Sequence, residues 1–200
     1  MKNHDLVLSL QETMRHHDEQ AKRILSYKKL QAPLLKLLLE EFNDIPTEKI
    51  CQYIEPERSY DRIVGLNVED QKVKGHLVRY DSLYELEDPV NRPKTILVNI
   101  EAQGQDPGYS LVRRGIYQAG HLLAGQRNDP IGFLHSSFDD MHKVISIWLC
   151  MHHARYKDGC INEYIIRQRH LSGSLDEGKD HYELIRVYMV YLRQGTRRMR

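Results

Sequence analysis

The chain has 200 residues, of which 40% are hydrophobic and 28% are charged, and its formal net charge at pH 7 is +1. This length and composition predict one domain with a proper hydrophobic core and leave too few residues for two domains. The near-neutral charge excludes nucleic-acid binding by the whole surface, so such a ligand would have to be held by a local basic patch.

The sequence shows neither a membrane-spanning or secretory segment nor a CxxC motif. Its apolar runs are far shorter than the roughly 20 residues that span a bilayer, and the N-terminus lacks the apolar core and cleavage site of a secretory signal. We therefore expect a cytoplasmic protein that does not enter a membrane. The three cysteines lack CxxC spacing and are expected to be reduced, packed thiols rather than a disulfide framework; they are Cys51, Cys150 and Cys160.

The first third of the chain is predicted to be helical. Residues 18–29 and 31–42 have the apolar periodicity of two helices, and residues 47–54 that of a third, shorter one. Glu40 and Glu41 end the second helix, where their negative charge opposes the helix dipole. At least one of them is therefore expected to have a partner, and the sequence leaves open whether this is a metal ion or a lysine.

From residue 66 to residue 86 the pattern changes to the alternation of short strands, and we place Asp81 within one of them. Aspartate is disfavoured in strands, so its presence invites a reason. One explanation is that Asp81 is a metal-binding carboxylate opposite Glu101. The alternative is an exposed aspartate on an edge strand, which would discourage pairing with other chains.

A buried strand is predicted from residue 95 to residue 100, and it ends in Glu101, Ala102 and Gln103. Successive side chains of a strand point to opposite faces, so Glu101 and Gln103 point the same way. A carboxylate and an amide in this arrangement can hold a hard divalent cation and a water molecule, as phosphodiester hydrolysis requires. The alternative is a strand with solvated ends, because this short pattern is common in inert strands.

A basic helix is predicted to follow the turn-forming residues 104–108, with Ser110 as its N-cap and an end near Gln126. Arg113, Tyr117 and His121 are spaced four residues apart and share one face of this helix. Arginine and tyrosine beside a metal-binding carboxylate suit a phosphate backbone. The alternative is an ordinary solvated face.

Residues 142–151 are predicted to form the most buried strand, and residues 161–171 and 182–192 to form further β segments. The set Cys150, His152, His153 and Cys160 suggests zinc, but a strand would place the two histidines on opposite faces. The spacing fits no usual zinc pattern.

With these segments, the sequence resembles the PD-(D/E)XK nuclease family transposases, which are related to the recombination-promoting nucleases. The resemblance rests on EEFNDIPTEKICQYIE, RYDSLYEL, LVNIEAQGQDPGYSLVRRGIYQAGHLLAGQ, FDDMHKVISIWLC and HYELIRVYMVYLR, in this order and spacing. It implies an α/β (α+β) fold with a restriction-endonuclease-like core, a mixed central β-sheet flanked by helices. The domain would span residues 1–200, with residues 1–17 as a candidate flexible N-terminus and residues 194–200 as a basic tail.

The resemblance also implies the residues of the site. Asp81 and Glu101 would bind Mg²⁺, for which Mn²⁺ can substitute, together with the carbonyl of Ala102. Gln103 takes the place of the usual catalytic lysine, and Glu41 is the acid carried by a helix. The residues that match the nucleic-acid-binding helix of the family are Arg113, Arg114, Tyr117 and Gln126.

The expected function is that of a metal-dependent DNA endonuclease of the transposase or recombination-promoting type, with DNA as partner and homodimerisation left open. Because glutamine supplies neither positive charge nor a base, Arg113 or Arg114 would stabilise the developing charge. The alternative is a catalytically inactive nuclease-fold protein that binds DNA or a protein partner. A small-molecule enzyme is disfavoured, since the sequence contains no glycine-rich phosphate loop and no Ser/His/Asp or Cys/His signature.

Overall fold

The computed structural model describes residues 20–21, 23–66, 69–70, 78–90, 94–128 and 138–193. The predicted flexible N-terminus, residues 1–17, and the basic tail, residues 194–200, lie outside this part of the chain. Of the predicted first helix, residues 18–29, the described residues 20–21 and 23–25 are helical, but Ser26 lies in a turn and Tyr27 forms an isolated bridge to Arg62, so this helix ends before residue 26.

Two further helices precede the sheet in the part of the chain that the structure describes. Helix α1 comprises Lys28–Leu38 and helix α2 comprises Thr47–Ile50. The predicted helix 31–42 is wrong at both ends: α1 begins before residue 31, and Leu39 adopts an extended conformation (φ −107°, ψ 115°) between α1 and a 3₁₀ turn at Glu40–Phe42. The apolar periodicity continues through Leu39 because that side chain is also buried, so periodicity alone could not show the break.

The central sheet has five strands. They are β3 (Ser82–Glu87), β4 (Thr95–Gln103), β5 (Lys143–Cys150), β6 (Ile161–Ile165) and β7 (Ile185–Tyr191). Their spatial order is β3-β4-β5-β7-β6. Strand β4 is antiparallel to β3 and parallel to β5, while β7 is parallel to β5 and antiparallel to β6. A separate small ladder pairs β1 (Glu69–Asp70) with β2 (Val78–Arg79).

Helix α3, Leu111–Gly125, connects the parallel strands β4 and β5, and the short helix α4, Lys179–Tyr182, precedes β7. The helix after Ser110 and the buried strand near residues 142–151 are therefore confirmed. The last two predicted β segments are shorter than expected. Residues 166–171 follow β6 without joining it, because alternating apolar residues also occur in exposed loops. Tyr182 belongs to α4.

The sheet separates two hydrophobic clusters. One includes Phe42, Ile100 and Ile147 and lies on the side of α1 and α2, and the other includes Ala119, Leu122 and Trp148 and lies on the side of α3. Both clusters use residues of β5, and Val144, Ile145, Ile147, Trp148 and Cys150 are completely buried. Strand β5 is therefore covered on both faces. All three cysteines are free thiols, but only Cys150 is packed in the core as expected, since Cys51 is half-buried and Cys160 is exposed.

Candidate functional site

Two carboxylates meet across β3 and β4. The strand register pairs Ser82 with Ile100, so the preceding residue, Asp81, lies opposite Glu101. Asp81 is not inside a strand, as the sequence suggested, but in the bend just before β3. The backbone N–H of Ala102 donates to Asp81 Oδ2 at 3.0 Å, and the backbone N–H of Asp81 points to Glu101 Oε1 at 3.4 Å. Each carboxylate is therefore positioned by the backbone of the opposite strand.

Glu101 is buried, with only 6% of its surface exposed. Burial, and secondarily the negative charge of Asp81, raises its pKa from an ordinary value of 4.5 to about 8, although Arg114 and Asn99 partly oppose the shift. At neutral pH the side chain is thus largely protonated when no cation is near. A divalent cation between Asp81 and Glu101 would favour the ionised form, so cation binding and deprotonation of Glu101 are coupled.

A buried pair of polar residues lies two residues before Glu101, on the same face of the sheet. Asn99 pairs in register with Ser146, and both are completely buried. The hydroxyl of Ser146 accepts hydrogen bonds from Asn99 Nδ2 (3.3 Å) and from Trp148 Nε1 (2.9 Å). Asn99 Oδ1 has no hydrogen-bond partner among the described residues. The sequence reasoning missed this pair, although an asparagine and a serine inside the apolar runs TILVNI and KVISIWLC were available signals.

Gln103 lies two residues beyond Glu101 on the same face of β4 and is half-buried. Its register partner on β5 is Cys150. The side-chain amide of Gln103 donates to the backbone carbonyl of Gln105, so its carbonyl oxygen remains the group that can accept from a water molecule.

Helix α3 approaches the carboxylates with its first turns. The hydroxyl of Ser110 accepts from the N–H of Arg113 at 3.5 Å and caps the helix, as predicted. Arg113 and Tyr117 are exposed. Arg114 is half-buried, with its guanidinium carbon 5.3 Å from the centre of the Trp148 ring, and its charge acts on Glu101. The two adjacent arginines therefore face different surroundings.

Two residues expected in the site lie elsewhere. Glu41 forms ion pairs with Lys143 (2.9 Å) and Arg186 (3.3 Å), and Lys143 is at the start of β5 beside Ile96. This is five residues, about 16 Å, back along β4 from Glu101. The partners of Glu41 are thus a lysine and an arginine.

Gln126, which the sequence placed against nucleic acid, is 4% exposed. Both ends of its amide bond to the backbone of His142, at 2.9 and 2.8 Å. It fixes the residue that precedes β5, and its burial removes it from the surface that a nucleic acid would contact.

The donors at Asp81 and Glu101 fit a hard cation. Carboxylate oxygens are preferred by Mg²⁺, which usually takes one or two of them together with water and substrate phosphate. Asn99, whose Oδ1 has no hydrogen-bond partner among the described residues, lies two residues before Glu101 on the same face of β4. In the described part of the chain, no group of three or more His, Cys, Asp or Glu residues is arranged to hold a metal ion, so the pair would depend on water, substrate and backbone oxygens.

Comparisons with protein-family models, with curated proteins and with solved structures found no match. Within the described residues, no helix has the length and apolar character needed to cross a membrane.

Proposed function

We propose that the protein is a metal-dependent DNA endonuclease of the PD-(D/E)XK type. The observation that carries the proposal is the cross-strand pair of Asp81 and Glu101, because Glu101 is buried and that burial raises its pKa to about 8. A buried carboxyl with a strongly raised pKa is costly for the fold and is characteristic of functional sites. The pair also lies beside α3, the helix that carries the exposed Arg113.

The arrangement of elements supports the same proposal. A helix precedes an antiparallel pair of strands, and α3 then leads to a parallel strand. This order is compatible with the restriction-endonuclease-like core that the sequence resemblance implies. Fold alone does not determine chemistry, so the proposal depends on the residues of the site.

Each residue of the site has a defined function in this proposal. Asp81 and Glu101, with the carbonyl of Ala102, would hold Mg²⁺, which polarises a scissile phosphate and lowers the pKa of an attacking water. Gln103 would accept a hydrogen bond from that water and orient it. Arg114, held over Trp148, stabilises the charge that develops on the phosphate.

Two further residues, Arg113 and Tyr117, are exposed on α3 and would contact the DNA backbone. Glu41 and Gln126 stabilise the fold and take no part in the chemistry.

The direct test is incubation of supercoiled plasmid with the purified protein in Mg²⁺, Mn²⁺ or EDTA. Nicked or linear DNA is expected with either metal and none in EDTA. Asp81→Asn and Glu101→Gln should abolish cleavage while the proteins remain folded. Asp61→Asn is the matched control, because Asp61 is exposed and its only ion pair with a described residue is a long one to Lys29 (3.8 Å).

An intact plasmid with wild-type protein under all metal conditions would reject the endonuclease. Duplex binding measured in Ca²⁺ then decides the alternative. Binding without cleavage would identify a catalytically inactive nuclease-fold protein, and the absence of both would remove DNA as the partner.

A further inference from the structure

The two outer strands of the sheet differ in whether the chain covers their free edges. At β3, the carbonyl of Glu85 accepts from the N–H of Glu55 at 2.9 Å, and the N–H of Glu87 donates to the carbonyl of Tyr53 at 2.9 Å. At β6, no backbone group of the described residues bonds to the outer edge. An uncovered edge strand offers its N–H and C=O groups to a strand of another chain.

The ladder between β6 and β7 shows which backbone groups of β6 are free. The carbonyl of Cys160 accepts from the N–H of Tyr191 at 2.9 Å, and hydrogen-bonded pairs alternate with non-bonded pairs along an antiparallel ladder. Residues of β6 at even positions therefore bond to β7. Those at odd positions point their N–H and C=O groups away from β7, and they are Ile161, Glu163 and Ile165.

Strand β6 also lacks the residues that usually protect an edge. Its sequence, INEYI, contains no proline and no lysine, and its one charged residue is Glu163. Ile161 is 44% exposed, and Ile166, which follows the strand, is 50% exposed. A further strand at this edge would therefore bury apolar surface as well as bond to the free backbone groups.

The residues around Ile165 are complementary to themselves when two copies run antiparallel. A twofold axis at Ile165 places Glu163 opposite Arg167 of the second copy and Tyr164 opposite Ile166. An axis two residues earlier would place the two copies of Glu163 against each other. Opposite charges directly across a strand pair are favourable and like charges are not, so the sequence favours the axis at Ile165. The two copies of Ile165 then form a hydrogen-bonded pair through their outward backbone groups.

Both charged side chains are available for this pairing. Glu163, Ile165 and Arg167 line one groove and so lie on the same side of the edge. Glu163 accepts from the hydroxyl of Tyr188 with Oε1 at 2.7 Å, which leaves its other oxygen without a hydrogen bond from a described residue. Arg167 is exposed and forms no hydrogen bond or ion pair with a described residue.

We propose that a second copy of this chain pairs with the free edge of β6 through its own β6, antiparallel and about a twofold axis at Ile165. The pairing joins the two five-stranded sheets into one continuous sheet. It leaves the carboxylate pair open, because β3 and β4 lie at the opposite end of the strand order. The inference does not depend on the proposed nuclease function.

The test reverses the two charges and measures self-association of the full chain by sedimentation equilibrium. We expect wild type to dimerise at micromolar concentration. Glu163→Arg and Arg167→Glu should each weaken the dimer about tenfold, because each places like charges opposite each other twice per dimer. Lys49→Glu is the matched control for charge reversal, since Lys49 is an exposed lysine on α2, and it should leave the dimer unchanged.

Two combinations of these variants should restore association. In the double variant Glu163→Arg/Arg167→Glu both pairs are again of opposite charge. In an equimolar mixture of the two single variants, every arginine of one protein faces a glutamate of the other, so a heterodimer is expected. Thermal melting followed by circular dichroism checks that each variant is folded. If Glu163→Arg does not fold, the loss expected for Arg167→Glu relative to Lys49→Glu still tests the interface.

Three results would overturn the proposal. Wild type that remains a monomer at every concentration has no such interface. A dimer that neither charge reversal weakens is held by another surface. Single variants that lose the dimer but do not associate when mixed show that the two charges act within each copy. None of these measurements contains DNA, so their outcome is independent of the plasmid assay that tests the endonuclease.

Discussion

Glu101 is the residue whose ionisation links folding to cation binding. Its pKa in the folded protein is about 8, above the ordinary value of 4.5 that applies to the unfolded chain. The favourable contribution of the protonated carboxyl is complete below pH 4.5 and is lost as the pH rises through 8, because the unfolded chain then binds fewer protons than the folded one.

Glu101→Gln should therefore stabilise the protein at alkaline pH in EDTA. Glutamine keeps the shape but cannot ionise, so the variant avoids a cost of a few kcal/mol, at 1.36 kcal/mol per unit of pKa difference. We expect a higher melting temperature than wild type at pH 8.5 and nearly equal values at pH 4.5. Addition of Mg²⁺ at pH 8.5 should raise the melting temperature of wild type only. Parallel pH profiles of the two proteins would contradict the raised pKa.

The two adjacent arginines of α3 are predicted to have separable effects. Arg113→Ala should weaken duplex binding and reduce the salt slope by about 0.9, since Arg113 is exposed and available to a phosphate. Arg114→Ala should mainly reduce the cleavage rate at saturating DNA, because Arg114 lies over Trp148 and acts on Glu101. Binding and single-turnover cleavage, measured for both variants, check this; identical profiles would show that α3 presents the two residues alike.

At the scale of elements, the position of α3 depends on its close approach to the sheet. A Cβ atom built at Gly115 would lie 2.8 Å from Val187 Cγ1 and 2.9 Å from Trp148 Nε1, both nearer than real Cβ contacts. Trp148 is completely buried and hydrogen-bonded to Ser146, so its side chain cannot move easily to make room for a Cβ atom. Gly115 therefore sets the distance between α3 and the central strands.

Gly115→Ala should destabilise the protein by about 1–3 kcal/mol, the usual cost of overpacking a core. Gly120→Ala on the same helix is the control, since a Cβ there meets no atom within 4 Å. That substitution should stabilise the protein by up to about 1 kcal/mol, the difference in helix propensity between the two residues. Urea denaturation measures both changes, and equal signs would contradict the packing described.

At the scale of the whole molecule, buried charges connect the end of α1 to the far strands. Arg186 of β7 donates to Glu183 at 2.9 Å and lies 3.3 Å from Glu41, and all three side chains are less than 10% exposed. Lys143 completes the cluster on the Glu41 side at 2.9 Å. Every carboxylate in this cluster has a cationic partner. The cluster therefore stabilises the contact of the segment after α1 with β5 and β7.

Arg186→Ala should destabilise the fold by about 3–5 kcal/mol, because it removes the cationic partner of the buried Glu183 carboxylate and leaves Glu41 with Lys143 alone. Lys94→Ala is the comparison, since the Lys94–Asp180 pair is about half exposed and such pairs contribute about 0–1 kcal/mol. Thermal and urea unfolding measure both. A loss for Arg186→Ala no greater than that for Lys94→Ala would mean that water reaches the cluster.

The sequence by itself determined the features that depend on neighbouring residues. Strands β4 and β5 follow from their continuous apolar runs, and α3 begins after Ser110 because a serine hydroxyl caps the first turn. The placement of Glu101 and Gln103 on one face follows from the two-residue period of a strand. The position of Asp81 opposite Glu101 was one of two alternatives that the sequence left open, and its place in a bend before β3 was not expected.

Only the tertiary structure decided the features that join distant parts of the chain. Glu41 contacts Arg186 across 145 residues, and the pairing of Asn99 with Ser146 depends on the register between β4 and β5. The different surroundings of Arg113 and Arg114 depend on how deeply α3 packs against Trp148. A local pattern shows which residues share a face, but the partner of that face is chosen by packing of the whole chain, where burial changes both the charge of Glu101 and the use of each side chain.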